Sequence, residues 1–410
     1  MLVKERNALL TETDRSTPAG EFMRRYWQPV GLTAELRPGG KPKQVKVMGE
    51  ELVLFRDDAG RPGLLGLHCS HRLTSLAYGR VEDGGIRCPF HGWLYDVDGR
   101  CLEQPAEPDG STFKDRVQQL SYPCQELGGL IFAYLGPPGT APLLPRYDVL
   151  VWESGTRKVD NYQINSNYLQ NVEGALDTVH FSYLHMDNWS KVKHRVASLP
   201  KPTLDFAEAD YGIWQKSLLP DVTSDAVSLV YAHFFMPAGF VRVQEGSRAA
   251  KGIVQKFQSW YVPIDDTHTM RFQAAFSPPR PDGTPYAWPE ADEYAQPGPE
   301  NEYFRDYDRV DTISGIPVNA PGTAIKGFLC QDNMVNESQG PICERSTEHL
   351  GAVDEVLIDM RKMYFDAITA VQEGRDPKHV MRDPASNAVV HVGSADELIL
   401  ASGTRDVRSR

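Results

Sequence analysis

No stretch of these 410 residues is apolar and long enough to span a bilayer. Basic residues are in the minority, 43 Lys and Arg against 55 Asp and Glu, which leaves a net charge of −12. That sign argues against nucleic acid or an anionic membrane as a partner. Cysteine is sparse and irregularly placed, at Cys69, Cys88, Cys101, Cys124, Cys330 and Cys343. Such scatter favours thiols and metal ligands over a disulfide framework. The N-terminus, MLVKERNALLTETD, lacks the apolar core and small-residue cleavage site of a signal peptide and reads as a short amphipathic helix. The expected compartment is the cytoplasm. There is no internal repeat.

What is present is an ordinary globular composition, 41% hydrophobic and 24% charged. The length calls for two or three domains, or one large and one small. Residues 44 to 135 read as β: QVKVMGEELVLFRD alternates, and GIRCPFHGWLYDVDGRC and LGGLIFAYLG add further strands between turn signals. GPPGTAPLLPRYD, residues 136 to 148, reads as a domain boundary. A helical segment, NSNYLQNVEGALDTVHFSYLHM, follows it. Long alternating runs from DYGIWQKSLL to GIVQKFQSWYVPIDDTHTMRFQAAF then predict a larger antiparallel sheet. A Pro- and acid-rich loop separates that sheet from a C-terminal helix, whose apolar positions are Val353, Val356, Leu357, Met360, Met363, Tyr364 and Ile368.

Two constellations carry chemistry. In the first, Cys69-x-His71 and Cys88-x-x-His91 are separated by sixteen residues. Two thiolates and two imidazoles suit a tetrahedral zinc, or a [2Fe–2S] cluster with one iron on the cysteines and the other on the histidines. Gly92 lets a loop approach a cluster closely, and Pro89, Phe90 and Trp93 shield it from water.

In the second, Glu173, Asp177, His180 and His185 are spaced Glu-x3-Asp-x2-His-x4-His. On one helix Glu173, Asp177 and His180 share a face, whereas His185 needs a distortion or a helix end. Two histidines and a carboxylate make the facial triad of non-haem iron(II) oxygenases. Alone, His-x4-His is more often a surface or core pair. The segment GFLCQDNMVNESQGPI offers Asp332 and Glu337 as a distant carboxylate.

CSHR…CPFHGWLYDVDG resembles the Rieske [2Fe–2S] signature, with a departure at Leu73-Thr74, where related proteins commonly carry Gly and a small residue. NVEGALDTVHFSYLH resembles the mononuclear-iron motif of Rieske non-haem iron oxygenase α subunits. QDNMVNESQGPI resembles the matching string of the phthalate dioxygenase-like branch. With TPAGEFMRRYWQPVGL, WYVPIDDTHT and the segment after Ile342, the likeness covers most of the chain.

The resemblance implies an α+β fold. It has an antiparallel β Rieske domain with the N-terminal segment (1–148) and a catalytic domain (149–410) built on an antiparallel sheet flanked by helices, of the helix-grip type. It implies Cys69 and Cys88 on one cluster iron, His71 and His91 on the other, and His180, His185 and Asp332 on a mononuclear iron, with Glu337 as runner-up. Asp177 is implied as the bridge that hydrogen-bonds His180 and reaches His91 of a neighbouring subunit. Glu173, Asn171, His268 and His349 are assigned structural roles, and the remaining cysteines read as buried thiols.

The expected activity is hydroxylation or dihydroxylation of an aromatic substrate such as an aryl carboxylate. The co-substrate is O₂, and NAD(P)H electrons arrive through a partner reductase carrying flavin and a ferredoxin-type centre. Oxidative O-demethylation or aryl-ether cleavage by a monooxygenase is the alternative; a non-catalytic Rieske carrier and a zinc-stabilised binding module are further ones. A homo-oligomer, trimer or stacked hexamer, is expected. An anionic substrate calls for an Arg in the pocket, and Arg195 and Arg242 are the candidates. Phe234, Phe235 and Trp260 are expected to pack in the core.

Overall fold

The computed structural model describes residues 2–185, 201–220, 227–245, 254–288, 298–305 and 328–393. It opens with α1 (Lys4–Thr11) and α2 (Pro18–Met23). Thr17 caps α2, its hydroxyl accepting the Gly20 N–H at 3.2 Å, and Pro18 occupies the first helical position, where no N–H is needed.

The β reading of residues 44 to 135 is what the chain forms. β1 (Trp27–Leu32) belongs to a three-stranded antiparallel sheet with β10 (Cys124–Leu127) and β11 (Leu130–Tyr134). A second sheet has the order β2 (Lys43–Val47), β3 (Glu50–Arg56), β4 (Pro62–Gly66) and β9 (Ser121–Tyr122). A third is a meander of β5 (Arg80–Glu82), β6 (Gly85–Arg87), β7 (Leu94–Asp96) and β8 (Cys101–Glu103). Val53, Phe55, Leu65, Leu67, Leu76 and Ile86 form a small core that also contains Cys69, Cys88, Trp93 and Tyr95. The first constellation therefore sits at the edge of a hydrophobic cluster of its own.

After α3 (Asp148–Val151) the chain builds one antiparallel sheet of seven strands: β12 (Thr156–Ile164), β13 (Thr203–Ala209), β14 (Gly212–Pro220), β15 (Val227–Phe235), β16 (Gly239–Glu245), β17 (Val254–Asp265) and β18 (His268–Ser277). Their order is β12-β18-β17-β16-β15-β14-β13. The two faces have different partners, as period-two alternation dictates. Trp260 and Phe235 meet Tyr147, Trp260 also meets Phe132 of the N-terminal sheets, and Lys256 pairs with buried Asp148 at 2.7 Å. From the opposite face Phe234 meets Tyr364, Gln215 bonds Thr178, and Arg242 covers Phe181. That second face is gripped by α4 (Tyr168–Leu176), α5 (Phe181–Leu184) and α7 (Glu355–Gln372), with α6 (Phe328–Ser338) packed against α4. Phe234, Phe235 and Trp260 are core residues, as expected.

Three expectations change. The helical segment breaks after Leu176: Asp177 has ψ 93°, and its Oδ1 accepts the Val179 N–H at 2.9 Å, a local bond that competes with the helix. Glu173, Asp177 and His180 therefore do not share a helical face. Val353 lies in a 3-10 turn ahead of α7 and is 42% exposed, while Val356, Leu357, Met360, Met363, Tyr364 and Ile368 are buried. Of the remaining cysteines only Cys101 is buried; Cys124, Cys330 and Cys343 are half-buried.

No helix among the described residues is long and apolar enough to cross a membrane.

Candidate functional site

Cys69 and His71 lie in the loop after β4, and Cys88 and His91 in the turn between β6 and β7. Both cysteines are buried, while the histidines are half-buried. The His71 and His91 ring centroids are 4.5 Å apart, and Trp93 stacks on His71 at 4.3 Å with only 6° between planes. Burial pushes the Cys88 thiol up; the Phe90 and His91 backbone N–H groups aim at its sulfur, and the Cys69 sulfur adjoins it. The Tyr95 hydroxyl lies 3.2 Å from Cys69 Sγ, and burial holds that phenol protonated.

The sulfurs thus pair with each other, and the imidazoles pair with each other. No three of these four ligand atoms come within 4.8 Å of one another. A single tetrahedral zinc would hold its ligands within about 3.8 Å of each other. The spread fits a two-iron cluster with cysteines at one end and histidines at the other. Leu73 shows how the loop accommodates its departure from the usual small residues. It adopts φ +60°, a conformation that favours glycine, with its side chain 73% exposed.

The second site forms where the helices meet the sheet. The break after α4 lets His180 and His185 turn toward one point, and α6 brings Asp332 to it from far along the chain. His180 Nε2 and His185 Nε2 are 3.2 Å apart. Asp332 Oδ1 lies 3.7 Å from the first and 3.2 Å from the second. Among the described residues this is the one set of three His, Cys, Asp or Glu side chains whose ligand atoms converge so closely. His185 Nδ1 donates to Gln331 Oε1 at 2.8 Å inside a fully buried pair, which leaves the Nε2 lone pair facing the convergence point. Burial lowers the pKa of His180, with Asp332 pulling the other way, so its ring is neutral as a ligand must be. Two imidazole lone pairs facing each other beside a carboxylate repel unless a cation lies between them. The donor set fits iron in a facial triad with open positions.

The other predicted residues separate cleanly. Glu337 accepts the Asn165 N–H at 2.9 Å and the Tyr303 hydroxyl at 2.8 Å, away from the histidines. Glu173 is paired with Arg345 and Arg361, each at 2.7 Å, and Asn171 donates to the Asn167 carbonyl and Thr269 Oγ1. His268 pairs with Asp265 at 2.9 Å, and His349 is exposed. The backbone carbonyl of half-buried Asp177, rather than its carboxylate, bonds the His180 ring. Arg242 lies 4.9 Å over the Phe181 ring and 5.9 Å from Phe257. Burial pushes its pKa down to about 10, with Asp332 opposing and Arg271 adding to the shift, so it stays charged at neutral pH. Arg195 lies outside the described residues.

Gln331 was missed, although it stands next to Asp332 in the string that carried the resemblance. Tyr95 was also missed; it lies two residues beyond Trp93 and therefore on the same side of β7.

Residues 26–121 match the Rieske [2Fe-2S] domain family, and residues 297–392 match the family described as LigXa C-terminal domain like. The chain is 32% identical over 404 residues to the phenoxybenzoate dioxygenase subunit alpha of Ectopseudomonas oleovorans, covering 95% of this chain and 89% of that protein. It is also 32% identical over 400 residues to the 5,5'-dehydrodivanillate O-demethylase oxygenase subunit of a Sphingobium species, covering 95% and 86%. Among solved structures, NdmB of Pseudomonas putida CBB5 superposes with a TM-score of 0.64 at 20% identity, covering 91% of this chain and 98% of that one.

Proposed function

Because the chain belongs to the Rieske non-haem iron oxygenases, as an α subunit of the phthalate dioxygenase-like branch, we propose that it hydroxylates or dihydroxylates a small aromatic substrate bearing an anionic group, such as an aryl carboxylate. The protein is an oxygenase component that uses a Rieske [2Fe–2S] cluster, a mononuclear iron, O₂, and NAD(P)H electrons delivered through a reductase. In our reading Cys69, Cys88, His71 and His91 hold the cluster, His180, His185 and Asp332 hold the iron, and residues 1–148 and 149–410 are the corresponding domains. The observation that carries this reading is the convergence of two Nε2 atoms and one carboxylate oxygen within 3.7 Å.

When bound, the cluster supplies electrons singly and the iron activates O₂. The chain's own residues do the rest. Gln331 fixes the His185 ring, and the Asp177 carbonyl fixes His180. The Asp177 carboxylate is the bridge toward His91 of a second copy. Arg242, flanked by the Phe181 and Phe257 rings, anchors the substrate's anionic group and so turns its ring toward the triad. Asp332 and Arg271 are the charges that act on Arg242, and of these Asp332 belongs to the metal. We place the enzyme in the cytoplasm as a homo-oligomer, trimer or stacked hexamer, served by a reductase with flavin and a ferredoxin-type centre. One relative is an O-demethylase oxygenase subunit. That favours oxidative O-demethylation of an aryl ether as the second reading.

The test has two stages. Metal and acid-labile sulfide analysis is expected to give about three irons and two sulfides per chain; one zinc and no sulfide ends the proposal. Turnover of aromatic acids and aryl ethers under isotopically labelled O₂ then decides the reaction. Two labelled oxygens in a diol mean dioxygenation, one in a phenol means hydroxylation, and formaldehyde release means demethylation.

A further inference from the structure

The first cluster loop is held by a side chain about fifty residues away. Gln119 stands just ahead of β9 and is 3% exposed. Its amide makes four hydrogen bonds to residues around Cys69. Nε2 donates to the carbonyls of Gly66 at 2.8 Å and His68 at 2.9 Å. Oε1 accepts the Ser70 N–H at 2.9 Å and the Ser70 hydroxyl at 2.5 Å. Two donors and two acceptor sites are the whole capacity of a carboxamide. The backbone continues the clamp. Gln119 N–H donates to the Gly99 carbonyl at 2.8 Å, in the turn between β7 and β8 that follows the Cys88 and His91 loop, and Gly66 N–H donates to Leu120 at 2.8 Å. One residue therefore ties together the elements that carry both pairs of ligands.

The clamp also disposes of hydrogen-bond donors. Ser70 is the neighbour of Cys69; its N–H and its hydroxyl both reach Gln119 Oε1, and the hydroxyl also bonds the Tyr95 phenol. The Tyr95 hydroxyl is a side-chain contact to Cys69 Sγ. Reduction adds one negative charge to a cluster, and donors or water at its sulfurs stabilise that charge and raise the potential.

We propose that Gln119 is the positioning residue of the Cys69–His71 loop, which it holds with the Ser70 N–H and hydroxyl engaged by its own amide oxygen, and thereby sets the cluster's reduction potential. This rests on the assignment of Cys69 and His71 as cluster ligands. A Rieske-type electron paramagnetic resonance spectrum of the wild type tests that assignment first, since its absence would sink the ligand reading itself.

The experiment compares wild type, Gln119→Leu and Ser70→Ala, each brought to equal cluster content by iron and sulfide assay. Redox titration and the g-values of the reduced cluster are read, and turnover is not. Gln119→Leu is expected to move the redox equilibrium about tenfold toward the reduced form, a rise of about 60 mV for one electron, with altered g-values. Ser70→Ala removes one of the four bonds together with the hydroxyl donor itself, so only the loosened Ser70 N–H is left to turn toward sulfur, and a smaller shift in the same direction is expected. A fully loaded Gln119→Leu with wild-type potential and g-values overturns the proposal and leaves Gln119 as a loop pin. If Gln119→Leu takes up no cluster, Ser70→Ala decides: a rise supports the proposal, and an unchanged or lower potential overturns it.

Discussion

Gln331 and Asp332 are adjacent in sequence and do different jobs at one site. Asp332 presents its oxygen to the two Nε2 atoms, while Gln331 Oε1 accepts the Nδ1–H hydrogen bond on the far side of His185 at 2.8 Å. A neutral acceptor fixes the tautomer without adding charge, so among the described residues the carboxylate that converges with the two Nε2 atoms is Asp332 itself. Gln331→Leu keeps the volume and loses the acceptor. It is expected to weaken iron binding about 10- to 100-fold while leaving the cluster spectrum intact, as read by competition with a metallochromic chelator. Wild-type iron affinity in that variant would refute the role. The proposed ligands were legible because Cys-x-His and Cys-x-x-His are a telling pair and because the family resemblance singled out His180, His185 and Asp332, which spacing alone would not have done. The partners were not: Gln331 to His185 and Gln119 to Ser70 are contacts between segments far apart in sequence, and neither Gln331's place in the QD string nor anything around Gln119 names the partner.

The elements around the iron are joined by charge as well as by packing. Glu173 of α4 meets Arg345 and, on α7, Arg361, which also holds Glu348. Arg345 is fully buried, and among the described residues its side chain's further partners are Asn7 Oδ1 and the Cys343 carbonyl. Breaking such a pair leaves a buried charge uncompensated. Glu173→Gln is expected to lose about 3–5 kcal/mol of stability, measured by urea unfolding. Burial opposes the Glu173 charge, but the two guanidiniums outweigh it and hold the carboxyl below its ordinary 4.5. A depressed carboxylate stabilises the fold above its unfolded-state pKa and loses that contribution as pH falls toward the folded value. The gap between wild type and variant should therefore be full at neutral pH and shrink below about pH 4.5. A gap independent of pH would show that Glu173 acts through shape alone. The sequence marked this helix by its pattern, but its break was hidden, because Asp177 reads equally well as one more helical carboxylate.

At the scale of the molecule, the proposed electron bridge demands a second copy, and mixing chains tests this. A Cys69→Ser chain lacks a competent cluster, and a His180→Ala chain lacks a competent iron site. Each alone should be inactive. Co-assembled in equal amounts, they should recover about a quarter of wild-type turnover if the path crosses subunits, the random share of competent pairs. No recovery in verified mixed oligomers would confine the path to one chain. Asp177→Asn should abolish turnover in all of these with the cluster spectrum unchanged. The reason to expect a crossing lies in the seven-stranded sheet. Its Trp260 face packs against Phe132 and Tyr147, toward the cluster domain, and its Arg242 face looks toward His180. In electrical terms the sheet is an insulating partition: on the proposed assignment the iron stands on its Arg242 side while the N-terminal sheets lie against its other face, so the wire that joins the two sites is best drawn through a neighbour.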